Sequence, residues 1–140
     1  MTSNEPLCRV IRIIAGLLLV SQVTGCGPTP PAMVSVTGKV TLDGKPVTAG
    51  SITFHPDTAN AFQDDHPSSL LQLDGSFQMK TYPFGKGVPP GKYKVTLAPE
   101  LATRVKQPEY ANTESTPWEL VVTDSGISEH EFQIKSLIVK

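Results

Sequence analysis

Along much of the chain, apolar and polar residues alternate with a period of two, which is the pattern of a strand with one buried face. The clearest case is segment 34–42, where valine, glycine and leucine alternate with serine, threonine and lysine. Similar short segments follow it, at 51–55, 69–73, 76–81, 91–97, 118–123 and 131–138. No segment has a sustained helical period, so we predict seven short strands.

Glycine and proline mark the turns between these strands. Asp43-Gly44 and Asp74-Gly75 are tight-turn signals, because glycine adopts a positive φ without steric cost. We therefore predict a turn after 42 and a hairpin that joins 69–73 to 76–81. Segments 57–68 and 99–117 are polar and lack periodicity. We predict that both are loops, with one candidate turn of helix near Tyr110.

Seven short strands joined by turns rich in Gly and Pro are typical of an all-β fold. We predict a single seven-stranded antiparallel sandwich or partly closed barrel. The first and last strands must pair with other strands of the chain, so the predicted strand order is Greek-key.

A different pattern precedes the strands. Arg9 and Arg12 are followed by an uncharged apolar run at 13–20 and then by Val-Thr-Gly-Cys at 23–26. The run is far shorter than the roughly 20 apolar residues of a membrane-spanning helix. A positive start, a short apolar core and small residues before a cleavage point describe a secretory signal. The stretch 23–26 resembles a bacterial lipobox, which implies cleavage before Cys26 and a lipid on that cysteine.

These features divide the chain into a signal helix at 1–25, a Pro-rich tether at 26–33 and a sandwich domain at 34–140. Proline fixes φ, so the tether is expected to be extended. Bacterial lipoproteins with this motif usually carry three acyl chains, which implies stable attachment, since one chain anchors only marginally. The resemblance implies a periplasm-facing position in the cell envelope. By analogy with lipoprotein sorting, Gly27 after the cysteine favours the outer membrane over the inner membrane.

Charge and cysteine content narrow the possible partners. Residues 1–25 contain two of the 12 basic and one of the 13 acidic residues, so the remainder has 10 basic and 12 acidic groups. Such a balance does not favour nucleic acid as a partner. The two cysteines are Cys8 in the signal and Cys26. The sandwich therefore has no thiol to pair and depends on its apolar core and backbone hydrogen bonds.

Three stretches resemble carboxypeptidase-regulatory-like domains. The stretch VTGKVTLDGKPV at 36–47 is similar to the opening of those domains, which have Gly-x-Val, a turn, then Gly-x-Pro and an aliphatic residue. DGSF at 74–77 is similar to their Asp-Gly-x-Phe hairpin, and PGKYKVTL at 90–97 to their Pro-Gly-x-Tyr-x-Val strand. Residues 71–73 depart from the family, which has a small or acidic polar turn there. The resemblance implies a small bacterial lipoprotein with a transthyretin-like, mostly noncatalytic sandwich.

Candidate metal ligands are few. The imidazoles of the chain are His55, His66 and His130. His66 follows Asp64 and Asp65, and divalent metals bind histidine together with carboxylates. These three residues are the candidate metal ligands, although their spacing matches no compact zinc motif and we interpret them as solvated loop residues. Asp57, Asp64 and Asp65 are the candidate Ca²⁺ ligands, without the spacing of an EF-hand loop.

The chain has no Gly-x-Ser-x-Gly elbow, phosphate loop or dinucleotide fingerprint. We therefore predict a noncatalytic protein without a cofactor. Our leading hypothesis is a lipid-anchored structural or protein-interaction module of the envelope, with loops 57–68 and 99–117 as its contact surfaces. The alternative is a small carbohydrate- or calcium-binding lipoprotein that uses the acidic loop and Trp118, which is otherwise interpreted as a core residue. The oligomeric state is left open.

Overall fold

The computed structural model describes residues 31–136. They form ten strand segments, one α-helix and one 3-10 helix. In chain order these are β1 (Val36–Leu42), β2 (Lys45–Pro46), β3 (Ser51–Pro56), β4 (Ser68–Leu70), β5 (Ser76–Gln78), β6 (Lys80–Thr81), β7 (Gly85–Lys86), β8 (Gly91–Leu97), α1 (Pro99–Arg104), the 3-10 helix (Pro108–Ala111), β9 (Glu119–Val122) and β10 (Ile127–Ile134).

The strands form two sheets. The first has the order β10-β1-β2, with β5 also paired to β1, and the second has the order β7-β6-β4-β3-β8-β9. The predicted all-β sandwich is therefore confirmed. The predicted count of seven strands and the Greek-key order are not confirmed, since the described residues contain ten strand segments, three of them only two residues long.

The first sheet contains a parallel pair. β1 and β10 run parallel, from Val36 opposite Ile127 to Leu42 opposite Ile134, whereas the other described strand pairs are antiparallel. The chain crosses from β9 in the second sheet to the first sheet before β10 begins. Because β10 is reached by this crossover and not by a tight hairpin, it can run parallel to its neighbour β1. The last strand pairs with the first, so the sandwich is antiparallel apart from this pair.

The turn at Asp43-Gly44 forms as predicted. Asp43 has φ 49° and Gly44 has φ 83°. Two consecutive positive φ values match a hairpin turn whose twist fits the flanking strands. The turn joins β1 to β2.

The hairpin predicted around Asp74-Gly75 forms only in part: its turn and one antiparallel pair, Ser68 opposite Lys80, are present. Gly75 has φ 78°, and the Gln72 N–H donates to the Ser76 carbonyl over 2.8 Å. However, β4 pairs with β3 and β6, whereas β5 pairs with β1. Both edges of β4 are thus engaged in the second sheet, and the turn carries the chain across to the first.

The core lies between the two sheets and follows the predicted alternation. Buried apolar side chains come from β1, β5 and β10 on one side and from β3, β8 and β9 on the other. They include Val36, Val40, Phe77, Phe132, Ile134, Ile52, Phe54, Tyr93, Val95, Leu97, Leu120 and Val122. Pairing begins at Val34, which forms an isolated bridge to Val88. Within residues 31–136, strand pairing therefore starts at the predicted position.

Segment 99–117 is more structured than predicted. The helix α1 was not expected, because six residues are too few to show a helical period. Its local signals are nevertheless present: a proline at its first position, Glu100 in its first turn and Arg104 in its last. Leu101 and Ala102 are buried against the core. The 3-10 helix contains Tyr110, as the candidate helical turn predicts.

Candidate functional site

Cys26, the predicted lipid attachment site, lies outside the described residues, as do the predicted signal and most of the tether. Within residues 31–136, no helix has the length and apolar character needed to cross a membrane. The remaining candidate residues all lie within residues 31–136.

The loop between β3 and β4 is held in place by the side-chain amide of Asn60, which hydrogen-bonds to the backbone of β8. The Asn60 amide donates to the Lys92 carbonyl over 2.8 Å, and its oxygen accepts the Lys92 N–H over 2.8 Å. The amide thus pairs with the backbone of Lys92, the second residue of β8, as a peptide group of a neighbouring strand would. Gly91 makes room for it, since a Cβ there would lie 2.6 Å from Asn60 and the φ is 153°. We infer that this loop is pinned to the second sheet rather than free.

The same loop brings two histidines together. His66 Nδ1 lies 3.1 Å from His55 Nδ1, and the rings meet edge to face at 5.0 Å between centroids. His55 Nε2 lies 2.8 Å from the Thr96 hydroxyl on β8. Burial, followed by the nearby His66, lowers the pKa of His55. The sequence could not show this pairing, because it depends on how the loop folds back over the end of β3.

The carboxylates of the loop do not build a multidentate site. Among the described residues, His, Cys, Asp and Glu side chains form no group of three or more that could hold a metal ion. Asp64 and Asp65 thus do not join His66 in such a group. Asp57 accepts the Ala59 N–H over 2.9 Å, which is a local turn contact. The Ca²⁺ hypothesis gains no support from this arrangement and stays a prediction.

Segment 99–117 is held to the body of the sandwich at several points. Thr116 donates its hydroxyl to the Val95 carbonyl over 2.7 Å, and the Arg104 guanidinium donates to the Ala49 carbonyl over 2.8 Å. Leu101 and Tyr110 are buried as well. Much of this segment, which was predicted to be a contact loop, therefore packs against the core.

Trp118 belongs to a cluster of aromatic rings. Its ring lies 4.4 Å from that of Tyr110 and 4.9 Å from that of Phe132. The side chain is half-buried and packs against the core. This placement favours the core interpretation of Trp118 over a carbohydrate contact, which stays a prediction.

A cleft that the sequence analysis did not single out lies on the outer side of the first sheet. This groove has a volume of about 650 Å³. It is lined by Thr37, Gly38, Lys39, Asp74, Ser76, Phe77, Glu129 and Glu131. Three carboxylates face one lysine, so the groove is acidic. Phe77 borders the groove, but its side chain is buried in the core.

Two of those carboxylates are positioned by hydrogen bonds. Asp74 accepts the Ser76 N–H over 3.0 Å, and its hydrogen bonds with Ser76 hold the pKa of Asp74 below its ordinary value. Glu131 accepts the buried Thr41 hydroxyl over 2.9 Å. The negative charge is therefore held in place on strands and a tight turn.

A second groove adjoins the first where the two sheets meet. It has a volume of about 490 Å³, and it shares Ser76 and Phe77 with the first groove. Its further lining residues are Ser68, Ser69, Leu70, Gln72, Gln78 and Lys80. The Ser69 hydroxyl donates to the Leu70 carbonyl over 2.9 Å and accepts the Gln78 N–H over 3.2 Å, so it bridges β4 and β5. This groove lies where β5 leaves β4 and pairs with β1, which the sequence analysis did not predict.

No protein-family model, curated protein or solved structure matches this chain. The resemblance to carboxypeptidase-regulatory-like domains accordingly stays a prediction.

Proposed function

We propose that this protein is a lipid-anchored, noncatalytic module of the bacterial cell envelope that holds a protein partner in the two adjoining grooves. The observation that carries the proposal is the position of these grooves. They run across β10, β1, β5 and β4, and most of their lining residues lie on paired strands. A surface held by strands binds with less loss of conformational freedom than a loop does.

The proposed lipid anchor and the two grooves are consistent with a domain that is held at the membrane surface and presents its grooves to other proteins. The lipid on Cys26 fixes the chain at the periplasmic face of the membrane, and the tether sets a short distance before pairing begins at Val34. The sandwich then presents its grooves to neighbouring envelope proteins. The likeness to carboxypeptidase-regulatory-like domains, which pack beside enzymes and receptors, supports the same role.

The lining chemistry favours a segment of a particular kind. The first groove has an excess of carboxylates, so it suits a basic side chain. Leu70 borders the second groove and is 71% exposed. Leu70 therefore offers one apolar contact at the edge of the polar groove. The favoured partner segment thus presents a basic residue next to an apolar one.

Site-specific photo-cross-linking in envelope membranes tests this proposal. A photoreactive residue at Lys39 or Gln78, both exposed groove positions, is expected to give one discrete adduct. The control position is Glu114, which is exposed and lies outside both grooves. Glu129→Lys should weaken the adduct from the Lys39 position because it adds positive charge to the groove. Equal adducts from Glu114, or none from either groove position, would contradict the proposal.

A further inference from the structure

The paired histidines at the end of the loop have the geometry of two ligands to one ion. Their Nδ1 atoms are 3.1 Å apart. An ion about 2.05 Å from each nitrogen would hold the two ligands at an angle of about 98°. That value lies between the roughly 90° of tetragonal Cu²⁺ or Ni²⁺ sites and the roughly 109° of tetrahedral Zn²⁺ sites. The nitrogens therefore need little movement to bind.

The two rings are hydrogen-bonded to each other through these nitrogens, and their positions also suit a shared ion. With about 1.15 Å from ring centroid to nitrogen, collinear rings would have centroids about 5.4 Å apart, whereas a chelate with this angle would have them about 4.8 Å apart. The observed separation is 5.0 Å. The ring separation is therefore close to the value that a shared ion requires.

Thr96 orients the ring of His55 so that its Nδ1 can bind a metal ion. Its hydroxyl lies 2.8 Å from His55 Nε2. When Nε2–H donates to that oxygen, the proton is on Nε2 and the Nδ1 lone pair is free. Histidine ligands generally donate their other ring N–H to a fixed acceptor, which selects the metal-binding tautomer. Thr96 is buried on β8, so the acceptor is rigidly placed.

The site is also open enough to take up an ion. His66 is exposed, which gives solvent access, while His55 is half-buried. Two protein ligands leave the remaining coordination positions to water.

We propose that His55 and His66 form a two-histidine site for a divalent transition-metal ion, with Thr96 as the positioning residue for His55. The site takes imidazole-preferring ions such as Zn²⁺, Cu²⁺ or Ni²⁺ rather than Ca²⁺. It is distinct from the grooves, and it stands independently of the proposed function.

Metal titration of the full chain tests the proposal. The chain carries Cys8→Ser and Cys26→Ser, which remove both thiols, and no histidine tag. Calorimetry with Zn²⁺ is expected to show one ion bound per chain, saturating below about 1 mM. Cu²⁺ should show magnetic coupling to two equivalent nitrogens in its electron paramagnetic resonance spectrum.

Three substitutions separate the proposed site from incidental binding. His66→Ala alters an exposed residue and should weaken Zn²⁺ binding about tenfold or more. Thr96→Val should weaken it by roughly tenfold through loss of the tautomer control. His130→Ala, the matched control on β10, should leave affinity within about twofold. Absence of saturable binding, unchanged affinity in His66→Ala, or an equal loss in His130→Ala would overturn the proposal.

Discussion

Phe132 on β10 is the residue whose removal tests the packing of the sandwich most sharply. Its side chain is only 3% exposed. Its ring centroid lies within 6.4 Å of four other aromatic centroids, and these neighbours come from both sheets and from the segment before β9. They are Phe54, Phe77, Trp118 and His130. Phe132→Ala would therefore leave a cavity at the centre of the core.

The expected cost follows from the size of that cavity. Buried Phe→Ala substitutions lower the free energy of unfolding by about 3 to 5 kcal/mol. With a urea m-value of about 1.5 kcal/mol/M, the unfolding midpoint should fall by roughly 2 to 3 M. Because domains of this size are stable by only about 5 to 15 kcal/mol, Phe132→Leu provides a milder second variant, expected to cost about 1 to 1.5 kcal/mol.

Urea unfolding followed by Trp118 fluorescence and by circular dichroism measures both variants. Trp118 reports on this cluster directly, since its ring lies 4.9 Å from that of Phe132. Leu73→Ala is the control because Leu73 is 93% exposed, and it should change stability by less than about 0.5 kcal/mol. A loss below about 1 kcal/mol in Phe132→Ala, or an equal loss in Leu73→Ala, would refute the packing described above.

Further outcomes follow from single contacts. Gly75→Ala should lower the urea midpoint more than Gly44→Ala. A Cβ at Gly75 would meet a backbone carbonyl at 2.8 Å, whereas a Cβ at Gly44 has nothing within 4 Å. Equal effects of the two substitutions would count against this turn geometry. Burial raises the pKa of Tyr93 to about 12, so the folded state favours the neutral phenol, and the free energy of unfolding should fall as pH rises above 10. Tyr93→Phe should remove the highest step of an ultraviolet tyrosine titration. Burial lowers the pKa values of His55 and His130 below 6.5, so the folded state resists their protonation. The urea midpoint, measured with EDTA, should therefore be steady above pH 6.5 and fall as pH drops below it; a midpoint that rises on acidification would contradict this.

The period-two pattern was enough to predict the strands that contribute to the core, because burial of one face imposes that pattern directly. Residues 36–42, 51–56 and 91–97 lie in strands with the expected buried side chains. The turn at Asp43-Gly44 was equally predictable, since it depends on local φ values. Local chemistry thus identified most elements.

Pairing between distant segments was not predictable in the same way. The Asp74-Gly75 turn has the composition of a hairpin, yet β5 pairs with β1, which lies more than 30 residues earlier. The parallel pairing of β10 with β1 likewise follows from a crossover between sheets. The grooves and the contact of His55 with His66 depend on these arrangements, so composition and spacing alone could not predict them.

Intact-mass analysis combined with membrane fractionation tests the proposed anchored module most directly. The wild-type chain and Cys26→Ala would be expressed side by side in a diderm bacterium. We predict that the wild-type chain begins at Cys26, carries the added mass of acyl chains and sediments with membranes, while Cys26→Ala lacks that mass and is released. An unmodified wild-type chain in the soluble fraction would contradict it.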